Sequence, residues 1–164
     1  MKKSVEEILE LVQKQFPEVT AEEAMQVTIL VKVEDLLPLC QFLHTNDQLF
    51  FDSLSLISGV DNGPEAGSME VIYHLYSIPF GHSLVLKTLL GRPSSAKDTV
   101  ETQSVISIWK SANWMERETF DLLGITFKDH PDLRRILLPA DWEGFPLRKD
   151  YQEQEYYHGI KVKY

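Results

Sequence analysis

Val5, Ile8, Leu9, Val12 and Phe16 recur at spacings of three and four, which places them on one face of a helix. Ser4 and Glu7 stand ahead of them as a capping-box pair, and Pro17 closes the run, so a first helix is predicted there. The period then changes. Met25, Val27, Ile29, Val31 and Val33 alternate with Gln26, Thr28, Leu30 and Lys32, the period of two that marks a half-buried strand. Glu34 and Asp35 offer a cap for a second helix burying Leu36, Leu37, Leu39, Phe42 and Leu43, with Pro38 tolerable in its first turn. Further strands are predicted over 50–60, 69–78 and 83–90. The run Asp61-Asn62-Gly63-Pro64-Glu65-Ala66-Gly67 reads as a hairpin loop and Pro79-Phe80-Gly81 as a turn.

Residues 93–102 form a polar crossing with no period of its own. A third helix is predicted from about Ser104, with Val105, Ile108, Trp109, Ala112, Met115, Thr119, Phe120 and Leu123 approximating its apolar face. Gly124 supplies the left-handed stop. This order of elements predicts an α+β fold of two layers, a mixed β-sheet with helices packed on one face. Beyond Leu138 the chain changes character. Pro139, Gly144 and Pro146 exclude regular structure, and 151–164 is polar and tyrosine-rich, so an extended C-terminal tail is expected. The domain reading is a core over 1–138 and a partner-binding tail over 139–164, the tail adding little to stability and much to binding.

A chain of 164 residues with 43% hydrophobic and 10% aromatic content can bury a core without staples. With 25 acids against 16 bases, a nucleic-acid partner is disfavoured, and so is direct contact with an anionic membrane. No stretch reaches the roughly 18 apolar residues of a membrane span, and the N-terminal lysines are followed by glutamates where a signal peptide needs an apolar run. One cysteine, Cys40, cannot form an intramolecular disulfide, which fits a reducing compartment.

Four of the five arginines, Arg117, Arg134, Arg135 and Arg148, lie between Trp114 and Tyr151 among eight acids. Arginine keeps its charge when desolvated and pairs bidentately, so this stretch is expected to make buried or interfacial ion pairs. Glu118, Asp121 and His130 could be read as a hydrolytic set. Nearby arginines lower carboxylate pKa values, however, the wrong direction for a general acid at neutral pH. His130 with Asp129 and Asp132 makes a poor metal set, because Pro131 restricts the backbone and no HxxxH or HExxH spacing occurs. His130-Pro131-Asp132 reads better as a turn in which the imidazole donates to a carbonyl or carboxylate and the aspartate caps the local backbone. GxSxG, GxGxxG and GxxxxGK are missing, and one thiol cannot hold an iron–sulfur cluster, so no cofactor is expected on this chain. Trp109 reads as core. Trp114 and Trp142 read as amphipathic anchors for a protein partner rather than residues that stack on a planar ligand.

Glu116-Arg117-Glu118 with Asp121, then Gly124-Ile125, the run from His130 to Leu137, and Gly144 with Pro146-Leu147-Arg148-Lys149-Asp150-Tyr151 together resemble the 30 kDa subunit family of respiratory complex I, the proton-translocating NADH:quinone oxidoreductase. The resemblance implies a non-catalytic scaffold subunit of the peripheral arm, on the cytoplasmic side of the membrane. It would pack against the quinone-site subunit and iron–sulfur subunits, with FMN and the clusters on those partners and membrane contact through the complex alone. Glu116, Arg117, Glu118, Asp121, His130, Asp132, Arg134, Arg135, Trp142, Arg148, Lys149, Asp150 and Tyr151 are then the motif and interface residues. Related subunits serve membrane-bound hydrogenases and oxidoreductases with other electron donors. Phe145 and Gln152 depart from the family pattern, standing where histidine and proline are frequent.

Overall fold

The computed structural model describes residues 2–22 and 27–162. Helix α1 (Val5–Gln13) carries the expected capping box: the Glu7 amide donates to Ser4 Oγ at 3.3 Å, and the Ser4 amide donates to Glu7 Oε2 at 2.8 Å. Ile8 and Val12 point into the core, and Phe16 beyond the helix packs on Phe42, with ring centroids 6.0 Å apart. The predicted strand over 25–33 is shorter in the structure. Its start, at Met25 and Gln26, lies outside the described residues; β2 spans Thr28–Leu30, preceded by a short β1 (Thr20–Glu22) that the sequence pattern did not announce.

Helix α2 (Val33–Thr45) begins before the expected acidic cap. Lys32 is its N-cap with no side-chain hydrogen bond, and Glu34 and Asp35 lie within the first turn, where they suit the positive end of the helix. Pro38 therefore stands beyond the first turn, where it removes one helical donor.

Strands β3 (Ser53–Asp61), β4 (Ser68–Ser77) and β5 (His82–Gly91) form the long antiparallel part of a five-stranded mixed sheet ordered β1-β2-β5-β4-β3, with β3 at its edge and β2 parallel to β5. Met69, Val71, Tyr73 and Leu75 of β4 and Leu84, Leu86 and Leu90 of β5 face inward, in one core with Ile8, Val12, Leu36, Leu39 and Leu43 of the helices. Leu56, Tyr76 and Leu89 stay exposed on the outer side, as expected for an α+β sheet covered on one face.

Residues 100–128 differ most from the sequence reading. Val100–Gln103 is a strand, β6, parallel to β7 (Ile125–Lys128), with helix α3 (Ala112–Leu123) as the crossover. The third helix starts at Ala112, not near Ser104. Ser104 Oγ accepts from the Ile106 amide at 3.2 Å, and the Val105 amide is held by Glu116 Oε1 at 2.8 Å. Such local side-chain bonds compete with helix formation, so the apolar spacing before Ala112 comes from consecutive turns. These turns seat Trp109 in the core, its indole N–H donating to the Phe51 carbonyl at 3.0 Å.

Two glycines let this unit close on the sheet. A Cβ at Gly59 would lie 2.4 Å from a Leu123 methyl and 2.8 Å from a Thr119 methyl, so α3 crosses β3 where there is no side chain. Gly124 ends α3 at φ +70°, and a Cβ there would meet Arg148 and Phe145 under 3.0 Å. The tail is also less irregular than expected, since Tyr156–Tyr157 and Ile160–Lys161 pair as a small hairpin, β8 and β9. Lys163 and Tyr164 lie outside the described residues.

Candidate functional site

Helix α3 divides the motif residues among its faces. Glu116 turns into the protein and is fully buried. Its Oε2 accepts from Ser104 Oγ at 2.6 Å, its Oε1 accepts from the Val105 amide, and His130 Nε2 stands 3.9 Å away. Burial pushes its carboxyl up to about 7 against the pull of Ser104 and Val105. The expectation that neighbouring arginines lower the carboxylates of this stretch is therefore corrected for Glu116, because those arginines bond elsewhere.

Asp121, one turn on, follows the expectation. Burial works to raise it, but the amide of Leu138, the Arg135 guanidinium and the amides of Leu137 and Ile136 prevail and hold it below the ordinary carboxylate range. Its Oδ2 accepts from Ile136, Leu137 and Leu138 at 3.0, 2.8 and 2.9 Å, and its Oδ1 accepts from Arg135 at 2.7 Å. One side chain thus pins the 136–138 loop to α3. Arg135 extends the contact by donating to the carbonyls of Trp142 and Gly144, both at 3.0 Å.

Arg148 is turned inward as well, 4% exposed. It donates to the carbonyls of Leu123 (2.6 Å), Ser95 (3.3 Å), Ala96 (3.2 Å), Asp98 (2.7 Å) and Gly124 (3.5 Å). No carboxylate pairs with it among the described residues, and burial lowers its affinity for a proton. The ring of Phe145 lies between two arginines, with its centroid 4.5 Å from the Arg148 guanidinium carbon and 5.4 Å from that of Arg135. Phenylalanine holds this cation–π sandwich without titrating.

The sequence reading missed the neighbouring buried network. Asp61 accepts from Arg92 Nε at 2.8 Å and Nη2 at 3.1 Å, from the Lys149 amide at 2.9 Å and from the Gly63 amide at 2.9 Å. Arg92 also pairs with Asp150. Burial would raise the Asp61 carboxyl, but Arg92 and the two amides bring it down to about 2. Asp61 reads in the sequence as a turn residue and Arg92 lies outside the arginine-rich stretch; apart from the Gly63 amide of that turn, their partners stand 31 to 88 positions away, beyond any local signal.

The His-Pro-Asp turn forms with its imidazole donating to a carbonyl as expected, but the local backbone is capped by the imidazole and not by the Asp132 carboxylate, which pairs with Arg134. His130 Nδ1 accepts from the Asp132 amide at 3.0 Å, so its proton resides on Nε2, which donates to the Asn113 carbonyl at 3.2 Å. The remaining motif residues face outward or form the rim. Glu118 and Asp132 are exposed, and Arg134, 74% exposed, pairs with Asp132 at 3.1 Å. Arg117 donates to the carbonyls of Arg134 at 3.2 Å and Arg135 at 3.3 Å. Trp142 packs on Tyr157 at 5.3 Å, while its indole N–H and the Tyr151 hydroxyl are buried without a partner among the described residues. Trp114 is 69% exposed.

The candidate hydrolytic set is not assembled. Glu118 faces solvent, Asp121 is spent on the 136–138 amides and Arg135, and His130 faces Asn113 and Glu116. No group of three or more His, Cys, Asp or Glu placed to hold a metal occurs among the described residues. Cys40 is fully buried, and burial pushes its thiol far above the range in which it would react. No described helix is long and apolar enough to cross a membrane.

Residues 29–157 match the family described as respiratory-chain NADH dehydrogenase, 30 Kd subunit. The chain is 45% identical over 124 residues to a subunit of NADH-quinone oxidoreductase from Chlorobium phaeobacteroides, covering 75% of this chain and 71% of that protein. It is 44% identical to the like-named protein of Chloroherpeton thalassium, covering 75% of this chain and 49% of that one, and 42% identical to that of Geotalea uraniireducens, covering 79% and 74%. Its fold is similar to a chain in the structure of an archaeal membrane-bound sulfane sulfur reductase, with a TM-score of 0.73 at 22% identity, covering 90% of this chain and 85% of that one. With the ordered motif, the extent of the family match and these identities agreeing, the chain belongs to the family of the 30 kDa subunit of respiratory-chain NADH dehydrogenase.

Proposed function

We propose that this chain is a non-catalytic scaffold in the peripheral arm of a proton-translocating NADH:quinone oxidoreductase. It holds the quinone-site subunit in register with the iron–sulfur subunits on the cytoplasmic side of the membrane, and FMN and the clusters reside on those partners. The observation that carries this reading is the fate of the motif's charges. The carboxylates of Glu116 and Asp121 are taken up by Ser104, backbone amides and Arg135, and the guanidinium groups of Arg135 and Arg148 by Asp121 and backbone carbonyls, so these buried charges brace a surface and are not free to react. Rigid, pre-organised surfaces suit assembly, because little freedom is lost on docking.

Affinity purification of the tagged chain from membranes solubilised in mild detergent tests it. The chain should co-purify in constant ratio with flavin- and iron–sulfur-bearing subunits and with NADH-dependent quinone reduction. The chain purified alone should be colourless and inactive. Stoichiometric flavin, iron or zinc on the lone chain, or ester hydrolysis abolished by Glu118→Gln, overturns the reading.

A further inference from the structure

On the side of α3 that carries Arg117, the helix and the 133–140 segment enclose an open groove of about 520 Å³ with a mixed character. Phe120, Leu133, Ile136 and Leu138 make its wall apolar, and Arg117, Arg134 and Arg135 add cations. Two large apolar residues lie exposed beside it. Trp114, one turn before Arg117 on the helix, is 69% exposed, and Leu137, on the loop that Asp121 pins, is 61% exposed.

The charges here are unevenly satisfied. Arg135 has Asp121. Arg117 makes hydrogen bonds to the Arg134 and Arg135 carbonyls but pairs with no carboxylate among the described residues, and Arg134 shares only the exposed Asp132. By contrast Lys87, on the outer sheet face, lies between Glu22 and Glu70. In a chain of net charge −9, a groove with uncompensated arginine is a local exception. Exposed tryptophan beside arginine and aliphatic residues is also the composition of protein–protein hot spots.

We propose that this groove seats an acidic segment of a neighbouring subunit, whose aliphatic or aromatic side chains fill the apolar wall and whose carboxylates meet Arg117 and Arg134. The proposal rests on the scaffold reading above and names the chemistry of one of its partners. An anionic lipid surface fits less well, because the acidic remainder of the chain opposes a flat polyanion at close range, whereas a narrow segment meets the groove alone.

The full-length chain, with photoreactive benzoylphenylalanine in place of Trp114 or of Leu137, is expressed in cells lacking the native copy, and assembled complex is isolated after irradiation. Both positions should crosslink to one stretch of a neighbouring subunit in which Asp and Glu outnumber Lys and Arg. Arg117→Glu should cut the amount of chain found in the complex by about tenfold or more, with the lone chain still showing one cooperative thermal transition although its bonds to the Arg134 and Arg135 carbonyls are lost. The proposal is overturned, and the scaffold reading kept, if the complex assembles while both probes crosslink lipid, a basic or neutral stretch, or nothing. It is also overturned if Arg117→Glu assembles at the normal level. If the probe at 114 blocks assembly, the probe at 137 decides the outcome. A chain that co-purifies with no other subunit removes the scaffold reading itself.

Discussion

On the sheet, Met69, Val71, Tyr73 and Leu75 of β4 lie beside Leu84, Leu86 and Leu90 of β5, and the helices close over them with apolar side chains. From Val100 to Asp150 apolar packing shares the work with single polar side chains, each fastening several groups at once: Glu116 the Ser104 hydroxyl and the Val105 amide, Asp121 the amides of 136–138, and Arg148 the carbonyls of 95–98 and the end of α3. The two regions should fail differently. Apolar contacts are many and weak, so a volume-conserving change is absorbed. A buried charge with several partners concentrates the stabilisation in one residue, and its loss strands every group it satisfied.

Arg148→Ala should therefore have the largest effect. It leaves the carbonyls of Leu123 and Asp98 short of a donor and strips one cation from Phe145, at a cost of about 3–5 kcal/mol. In a chain of this length that corresponds to a fall of roughly 10 °C in the thermal midpoint, measurable by calorimetry. Arg148→Lys should recover little, since one ammonium cannot span the same carbonyls. A fall of that size would overturn the expectation that residues beyond 139 add little to stability. A shift below about 2 °C would mean that the Arg148 clamp is not part of the cooperative fold.

The counterpart on the sheet is Leu86, fully buried at the centre of β5. Leu86→Ala should cost about 2–4 kcal/mol through a cavity, and Leu86→Met less than about 1.5 kcal/mol. Near-complete rescue by the conservative variant at Leu86 but not at Arg148 is the signature that separates the two regions in chemical denaturation. Equal rescue at both sites would erase the distinction.

Glu116 adds a pH dependence to the clamped region. Its folded pKa of about 7 lies above the 4.5 of a free glutamate, so between those values the folded state holds a proton that the unfolded state has released. Unfolding then releases a proton, and stability falls as pH rises from about 4.5 to 7 and levels off above. Glu116→Gln should flatten that slope, with an effect on the order of 2 kcal/mol by pH 8. Stability measured from pH 5 to 8 in both proteins checks it. A wild-type curve no steeper than the variant's would show that Glu116 is already ionised when folded.

The same contrast explains what could be read without coordinates. The strands β3, β4 and β5, the helices α1 and α2 and the one-sided sheet follow from alternation, helical spacing and turn residues, all local properties. Strand β6 carries no such signal, because Val100 to Gln103 contains one large apolar residue and forms only by pairing with β7 across an intervening helix. The start of α3 is misplaced by apolar spacing alone because Glu116, eleven and twelve positions ahead in the chain, captures Val105 and Ser104 and keeps them from a helix. At the candidate site the motif picked out Glu116, Asp121, Arg135 and Arg148, which the structure gathers around α3, and the spacing of His130-Pro131-Asp132 announced its turn. The direction each side chain takes was not legible. Arg148 and Arg117 look alike in the chain, yet one is buried among carbonyls and the other lines a groove, and only the packed neighbours decide which.

The smallest effect should come from removing the residues after Tyr151. Hairpin β8–β9 consists of two residue pairs, and Tyr156 and Ile160 are 60% and 69% exposed. An isolated two-stranded hairpin is marginal in water. Its links back to 139–151 are the Tyr157 hydroxyl donating to Asp141 at 2.9 Å, Gln154 donating to the Glu143 carbonyl at 3.3 Å, His158 beside Asp141 at 2.8 Å, and the Tyr157 ring against Trp142. All but the ring contact are solvent-exposed and screened by water, so they add little. Truncation after Tyr151 should lower the thermal midpoint by no more than about 3 °C. It should leave Arg148, Asp150 and the Phe145 sandwich in place, because their partners precede residue 152. If the truncated chain instead loses as much as Arg148→Ala does, the boundary of the clamped region lies beyond Tyr151, and the hairpin belongs to the fold rather than to the surface offered to partners.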